Sequence, residues 1–133
     1  MQTLLGFDFG TQRIGIAVGQ SITGTATALC TIKSRNGKPD WGRITELIDH
    51  WRPDALVVGL PLHDDGSDSD ISKAVRSFIQ QLIEHYGLPV NTMDERLSSH
   101  AAKQYMKQST SKQEVDAVAA MIILQNWLET KST

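Results

Sequence analysis

The chain has 133 residues, of which 40% are hydrophobic and 21% charged, and its formal net charge is −2. That length holds one domain with a real core, residues 1–133, and is too short for two. The near-neutral balance argues against a protein that coats nucleic acid but not against an enzyme acting on it, because metal-binding carboxylates offset basic residues elsewhere. No apolar run approaches a membrane span, Met1 leads straight into a strand without a leader pattern, and the single cysteine, Cys30, cannot form an internal disulfide. A cytoplasmic protein without a membrane partner is expected.

The stretch Thr3 to Gly19, TLLGFDFGTQRIGIAVG, holds two apolar runs around the turn Gly10-Thr11-Gln12 and reads as a β-hairpin. Thr25 to Lys33 reads as a third strand, antiparallel to the second, followed by a basic, turn-rich loop from Ser34 to Pro39. Asp40 caps a helix to about Trp51 with Trp41, Ile44, Leu47, Ile48 and Trp51 on one stripe, and Pro53 stops it. Asp54 to Leu60 is a continuous apolar run of the kind that forms a parallel strand covered on both faces. An acidic loop from His63 to Asp70 leads into a helix from Ile71 to Tyr86, with Val75, Phe78, Ile79, Leu82 and Ile83 as its buried face and a Gly87, Pro89 stop. Pro89 to Met93 forms a fifth strand, and Leu97 to Lys107 a third helix. Ser111 and Glu114 match a capping box that opens a last helix running to about Leu128. The order βββαβαβαα predicts a mixed five-stranded α/β sheet with helices on both faces, the order of the ribonuclease H-like fold.

Asp8 lies between Phe7 and Phe9 in the first strand, where an unpartnered carboxylate is costly and a bound cation is the simplest partner. Its blander reading is an edge-strand Asp that caps the Thr11 turn or pairs with Arg13. Asp94 and Glu95 sit where the fifth strand ends, a place where charged triplets are usually solvated turns. Asp116, about one turn into the last helix, shares a face with Ala120, Ile123 and Trp127; it reads equally as dipole compensation at a helix N-terminus. Taken together, these carboxylates supply what a hard divalent cation needs, several oxygens converging from separate rigid elements. Two Mg²⁺ ions so held could activate a water and stabilise the leaving oxygen of a phosphodiester. Arg13 and Arg96 follow the acidic motifs closely and are candidate phosphate contacts; Lys103, Lys107 and Lys112 read equally as solvated charges. His63 reads as an incidental polar residue before a substrate contact, and no His or Cys spacing suggests zinc.

DFGTQRIGIAVG, VVGLPL followed by DG, DERLSSHAA and VDAVAAMIIL together resemble the YqgF (RuvX) family of bacteria, in the right order over nearly the whole chain. The resemblance implies a ribonuclease H-like fold related to the RuvC resolvases, and a nuclease of pre-16S ribosomal RNA 5′-end maturation or of Holliday junctions. It places Asp8, Glu95 and Asp116 in the active site, with Asp94 as a further metal ligand and Mg²⁺ or Mn²⁺ as the cofactor. The sequence departs from the family at His63, where Asn is usual, at Leu97-Ser98-Ser99, and in a shorter link before the last helix. It also lacks the strand-four Glu of RuvC-type resolvases, Asp64 being the nearest acid.

These readings converge on a metal-dependent phosphodiesterase acting on precursor ribosomal RNA, with Arg13 and Arg96 holding phosphates or the carboxylates. Ribosomal proteins are candidate partners, and a monomer or homodimer is expected. The rivals are a DNA junction resolvase, which must be a dimer to cut two strands symmetrically; a nucleotide-phosphate site like that of the actin and sugar-kinase superfamily, which needs two such domains; and a non-catalytic RNA- or protein-binding module.

Overall fold

Apolar residues alternate between two faces of a central strand, and that alternation organises the computed structural model, which describes residues 2–35, 38–60, 70–94 and 112–131. The strand is β1 (Thr3–Phe9). On one side it pairs antiparallel with β2 (Arg13–Gln20), and β2 pairs antiparallel with β3 (Thr25–Arg35). On the other side it pairs parallel with β5 (Ala55–Leu60), and β5 with β6 (Val90–Asp94). A two-residue strand, β4 (Lys38–Pro39), closes the antiparallel edge, giving a six-stranded sheet in the order β4-β3-β2-β1-β5-β6. The mixed sheet expected from the sequence is therefore present, with one strand more than the five predicted. The segment read as the loop from Ser34 to Pro39 instead extends β3 to Arg35, and Ser34 and Arg35 pair with Pro39 and Lys38. The dipeptide Asn36-Gly37 between them is the strongest short hairpin signal a sequence can carry.

Leu5, Phe7 and Phe9 of β1 join Ile14, Ile16, Val18, Leu56 and Val58 on one face of the sheet. That face is covered by α1 (Trp41–Trp51) and α2 (Asp70–Tyr86). Ile44, Val75, Phe78 and Leu82 are the buried helical contribution. Phe78 sits among Phe7, Phe9 and Trp41, with ring centroids 4.9–5.8 Å apart, in the range where aromatic pairs attract beyond their area. The Thr45 and Tyr86 hydroxyls, 2.8 Å apart, tie the two helices together. Asp40 caps α1 as expected, its Oδ1 accepting from the Arg43 N–H, and the helix closes on Arg52 in the left-handed conformation just before Pro53. Ile83, expected on the buried face of α2, is instead 42% exposed, because it lies at the margin of the stripe near the end of the helix.

The opposite face is covered by α3 (Lys112–Lys131). Its residues Ala120, Ile123, Leu124 and Leu128 bury against Leu4, Ala17, Ala55 and Val57. Helices thus lie on both faces, as the sequence predicts. The third helix expected over Leu97 to Lys107, and the loop from His63, lie outside the described residues. Among the described residues, no helix is long and apolar enough to cross a membrane.

One side chain fastens the lower end of α3 to the sheet. Gln125 Oε1 accepts from the Ala26 N–H at 2.9 Å, and its Nε2 donates to the Gly24 carbonyl at 2.8 Å. Gln125→Ala would leave both backbone groups without these partners, and the expected loss is about 1–3 kcal/mol, measured as a lowered urea midpoint with an unchanged slope.

Cys30 lies within β3, and burial pushes its thiol above the ordinary value of 9.0, with Arg43 pulling the other way. The folded state therefore holds the neutral thiol more firmly than the unfolded chain does. Its contribution is complete below about pH 9 and is lost as pH rises through the raised value. Urea midpoints of the wild type should fall on the alkaline side of about pH 9, and Cys30→Ser should flatten that fall. A residual slope is expected from Tyr86, whose hydroxyl burial also pushes up, against the opposing Thr45 hydrogen bond.

Candidate active site

Asp8 belongs to the α3 face of β1, on the same side as Leu4 and Gly6, and is half-buried. Its partner across the β1–β2 ladder is Gly15. Gly15 is where α3 comes closest to the sheet: a Cβ added there would stand 1.9 Å from the Asp116 carbonyl oxygen. Further along the helix, Cβ atoms at Gly6 and Gly19 would stand 2.9 Å from Leu124 side-chain atoms. Glycine inside a strand is unfavourable for the strand itself and marks a close approach by another backbone. Three glycines on one face therefore form the seat of α3. The seat brings the backbone of Asp116 over the ladder partner of Asp8.

Asp116 is held there by charge. Arg13 Nε, from the first residue of β2, donates to Asp116 Oδ2 at 2.5 Å, and the side chains are 33% and 21% exposed. A short, partly desolvated contact of this type is a charge-assisted hydrogen bond, stronger and more directional than a surface ion pair. Of the two readings of Asp116, the structure has the sheet-facing one, although the residue also stands one turn from the positive end of α3, which favours a carboxylate. Of the two uses expected for Arg13, phosphates or carboxylates, the side chain makes the second. The sequence ties Arg13 to the turn beside Asp8, whereas its partner lies 103 residues away. The signal that could have revealed this is the row Gly6, Gly15 and Gly19 itself.

The third acidic element arrives at the same end of the sheet. Phe7 pairs with Val58, Val58 with Thr92, and the register continues to Leu60 opposite Asp94, the last residue of β6. Two strand spacings put the backbone of β6 about 10 Å from that of β1. Glu95 and Arg96 follow directly and lie outside the described residues, as do His63, Asp64, Lys103 and Lys107. Asp94 and Lys112 are placed by their backbones alone. Among the described residues no group of three His, Cys, Asp or Glu side chains is close enough to hold a metal ion. Asp8 and Asp116 are nonetheless the right kind of donor for Mg²⁺ or Mn²⁺, hard carboxylate oxygens on two rigid elements.

A mixed sheet in this order, with helices on both faces, defines the ribonuclease H-like class. Solved structures agree. Thermus thermophilus RuvC in complex with a Holliday junction substrate superposes with a TM-score of 0.62 at 15% identity, over 99% of this chain and 96% of that one. The fowlpox virus Holliday junction resolvase gives 0.58 at 15% identity, over 96% and 99%. Sequence narrows the class. The profile of the RuvX family, described as Holliday junction resolvase, matches residues 2–130. A protein of Azotobacter vinelandii is 49% identical over 94% of this chain and 92% of its own length, and one of Pseudomonas putida is 46% identical over 99% and 98%. Both carry the name "Putative pre-16S rRNA nuclease". The chain belongs to the RuvX family.

The close seat of α3 has a direct consequence. Gly15→Ala would drive a methyl group into the Asp116 carbonyl, and backbone cannot swing aside as a side-chain tip can. The expected loss is about 3 kcal/mol or more. Hydrogen exchange should show the protection lost first at the start of α3, while the aromatic face beneath α1 and α2 stays protected.

Proposed function

We propose that the protein is a divalent-metal-dependent nuclease that hydrolyses phosphodiester bonds in precursor 16S ribosomal RNA, with Asp8, Glu95 and Asp116 as its catalytic carboxylates and Asp94 as a further ligand. The observation that carries the reading is the meeting of Asp8 and Asp116 around Gly15, on rigid elements, in a member of the RuvX family. Asp8 lies on the sheet face opposite Gly15, and Asp116, paired with Arg13, comes over that glycine on the helix, so two carboxylates reach one region from two rigid elements, the donor arrangement a hard divalent cation takes. The names of the relatives supply the substrate. Mg²⁺ or Mn²⁺, when bound, would supply a more acidic water and stabilise the leaving oxygen.

The chain's own groups divide the remaining work. Asp8, in the middle strand of the sheet, fixes the centre of the site. Asp116 approaches from the helix above and is oriented by Arg13, which also offers its remaining N–H groups to a phosphate. Arg96, next to Glu95, would take a second phosphate oxygen. The work is that of a single domain in the cytoplasm, with ribosomal proteins as neighbours on the precursor particle.

A second reading is kept by a specific observation: the family description and the Thermus neighbour both concern Holliday junctions. It demands a two-fold dimer, so that two strands are cut symmetrically.

The test is cleavage of a labelled pre-16S RNA fragment and of a four-way DNA junction, each with Mg²⁺ or Mn²⁺. The wild type is expected to cut the RNA in preference, and Asp8→Asn to lower the rate about 100-fold or more while staying folded. Preferential cutting of the junction would transfer the same site to the second reading. Absence of metal-dependent cutting, with cellular function intact in Asp8→Asn, would replace both by a binding role.

A further inference from the structure

The positive charge near the carboxylates is arranged as a track. Ile14 and Ile32 are buried on the α1/α2 face of the sheet, so the alternating residues Arg13 and Lys33 belong to the α3 face, as does Arg35 two positions on. Arg13 and Lys33 are ladder partners across β2 and β3, and Arg35 and Lys38 are ladder partners across β3 and β4. Four cations thus stand as two like-charged cross-strand pairs on the face that carries Asp8 and Asp116. Lys33, Arg35 and Lys38 are exposed, and together with Pro39 and Asp40 they line a concavity of about 550 Å³.

Like charges directly opposite one another destabilise a sheet, and a merely solvated face would intersperse the two signs. Among the described residues the ion pairs are Arg13 with Asp116 and Arg43 with Glu46, so none of the three exposed cations takes part in one. Asp40, the acid in the concavity, accepts the Arg43 N–H as the cap of α1. The concavity thus holds three cations, Lys33, Arg35 and Lys38, against the one carboxylate of Asp40, and the inner end of the track, Arg13, already touches the candidate active site through Asp116.

We propose that the ladder pairs Arg13–Lys33 and Arg35–Lys38 form a docking track for the sugar–phosphate backbone of the nucleic acid, running from the Asp8–Asp116 site outward over β2, β3 and β4. As a deepening of the nuclease reading, it rests on that reading for the position of the scissile bond, though not for the binding itself. Two strand spacings across and two residues along give a track roughly 12 Å long from Arg13 to Lys38. At one charge per ~3.4 Å of strand, that spans about three to four phosphates. Lysine and arginine at i, i+2 positions, about 7 Å apart, read charge and spacing without base identity. The track positions a strand, and sequence choice lies elsewhere.

The experiment measures binding of a fluorescent pre-16S RNA fragment in EDTA, where no metal-dependent cleavage occurs, as a function of salt. The test variant is Lys33→Gln/Arg35→Gln/Lys38→Gln. The control is Arg43→Gln/Lys73→Gln/Arg76→Gln, which removes the same charge from α1 and α2 behind the sheet. The track variant is expected to bind at least about tenfold more weakly near physiological salt and to lose about 2 from the slope of log K against log salt, at ~0.7 per single-strand phosphate. The control should lose much less. The fold of the track variant is checked by thermal melting, where relief of the like-charge pairs should leave the midpoint unchanged or raised.

Equal losses in the two variants would reduce the track to general electrostatics and overturn it. So would an unchanged affinity accompanied by aggregation, which would make Lys33, Arg35 and Lys38 guards of a sheet edge. Salt-dependent binding through the track by a protein that cuts nothing would sink the nuclease reading and leave the track standing.

Discussion

The distance between α3 and the sheet is the constraint on which the rest depends. Helices ordinarily sit on sheets through a layer of interlocking side chains. Here Gly6, Gly15 and Gly19 remove that layer at three places, and Ala17 and Ala120 thin it further. The helix descends until the Asp116 carbonyl occupies the space of a missing Cβ. The strands give up side-chain packing and accept the entropy of three flexible residues, a cost of about 0.5–1 kcal/mol each. What they gain is a carboxylate delivered beside the C-terminal end of β1 by a rigid helix whose backbone rests directly on the sheet at Gly15.

The two faces are consequently different materials. Beneath α1 and α2 lie Phe7, Phe9, Phe78 and large aliphatic side chains, which supply the bulk of the apolar burial. Beneath α3 lie small residues, with the charged groups at one end. Stability concentrated on the first face allows the second to hold groups that repel one another. The like-charged pairs Arg13–Lys33 and Arg35–Lys38 cost about 0.2–1 kcal/mol each, which such a core absorbs. The separation is possible because strand alternation keeps a substitution on one face from disturbing the other.

Much of this was legible in the sequence. Strand alternation, the Asp40 cap and the continuous run of β5 each act locally, and the structure has the corresponding elements. Local signals also led astray where two competed: the basic, polar run from Ser34 to Pro39 looks like a loop by composition, whereas Asn36-Gly37 within it is a hairpin turn signal, and pairing across it decides the outcome. The partnership of Arg13 with Asp116 was not legible, because nothing in a single chain states which of several carboxylates a cation will reach across 103 residues. The glycine row carried that information indirectly, as the mark of something pressing on the sheet. Asp8 and Asp116 were both nominated from sequence and are brought together; Glu95 and Arg96 rest on motif alone.

Direction explains why the site forms where it does. Asp8 is next to the C-terminal end of β1, and Asp94 is the C-terminal residue of β6, two parallel strands away. In open α/β sheets that edge is where groups converge, because the connecting elements must leave it and re-enter elsewhere. Contacts of Asp116 with Gly15 and of Leu128 with Gly19 show α3 running antiparallel to β1, so its N-terminus comes to this same edge. The partial positive charge of that helix end then faces carboxylates rather than solvent and eases their mutual repulsion. Reversing α3 would put its negative end beside Asp8, with no gain in burial to offset the repulsion. The polarity of a single helix thus makes the seat, the ion pair and the acidic edge mutually consistent.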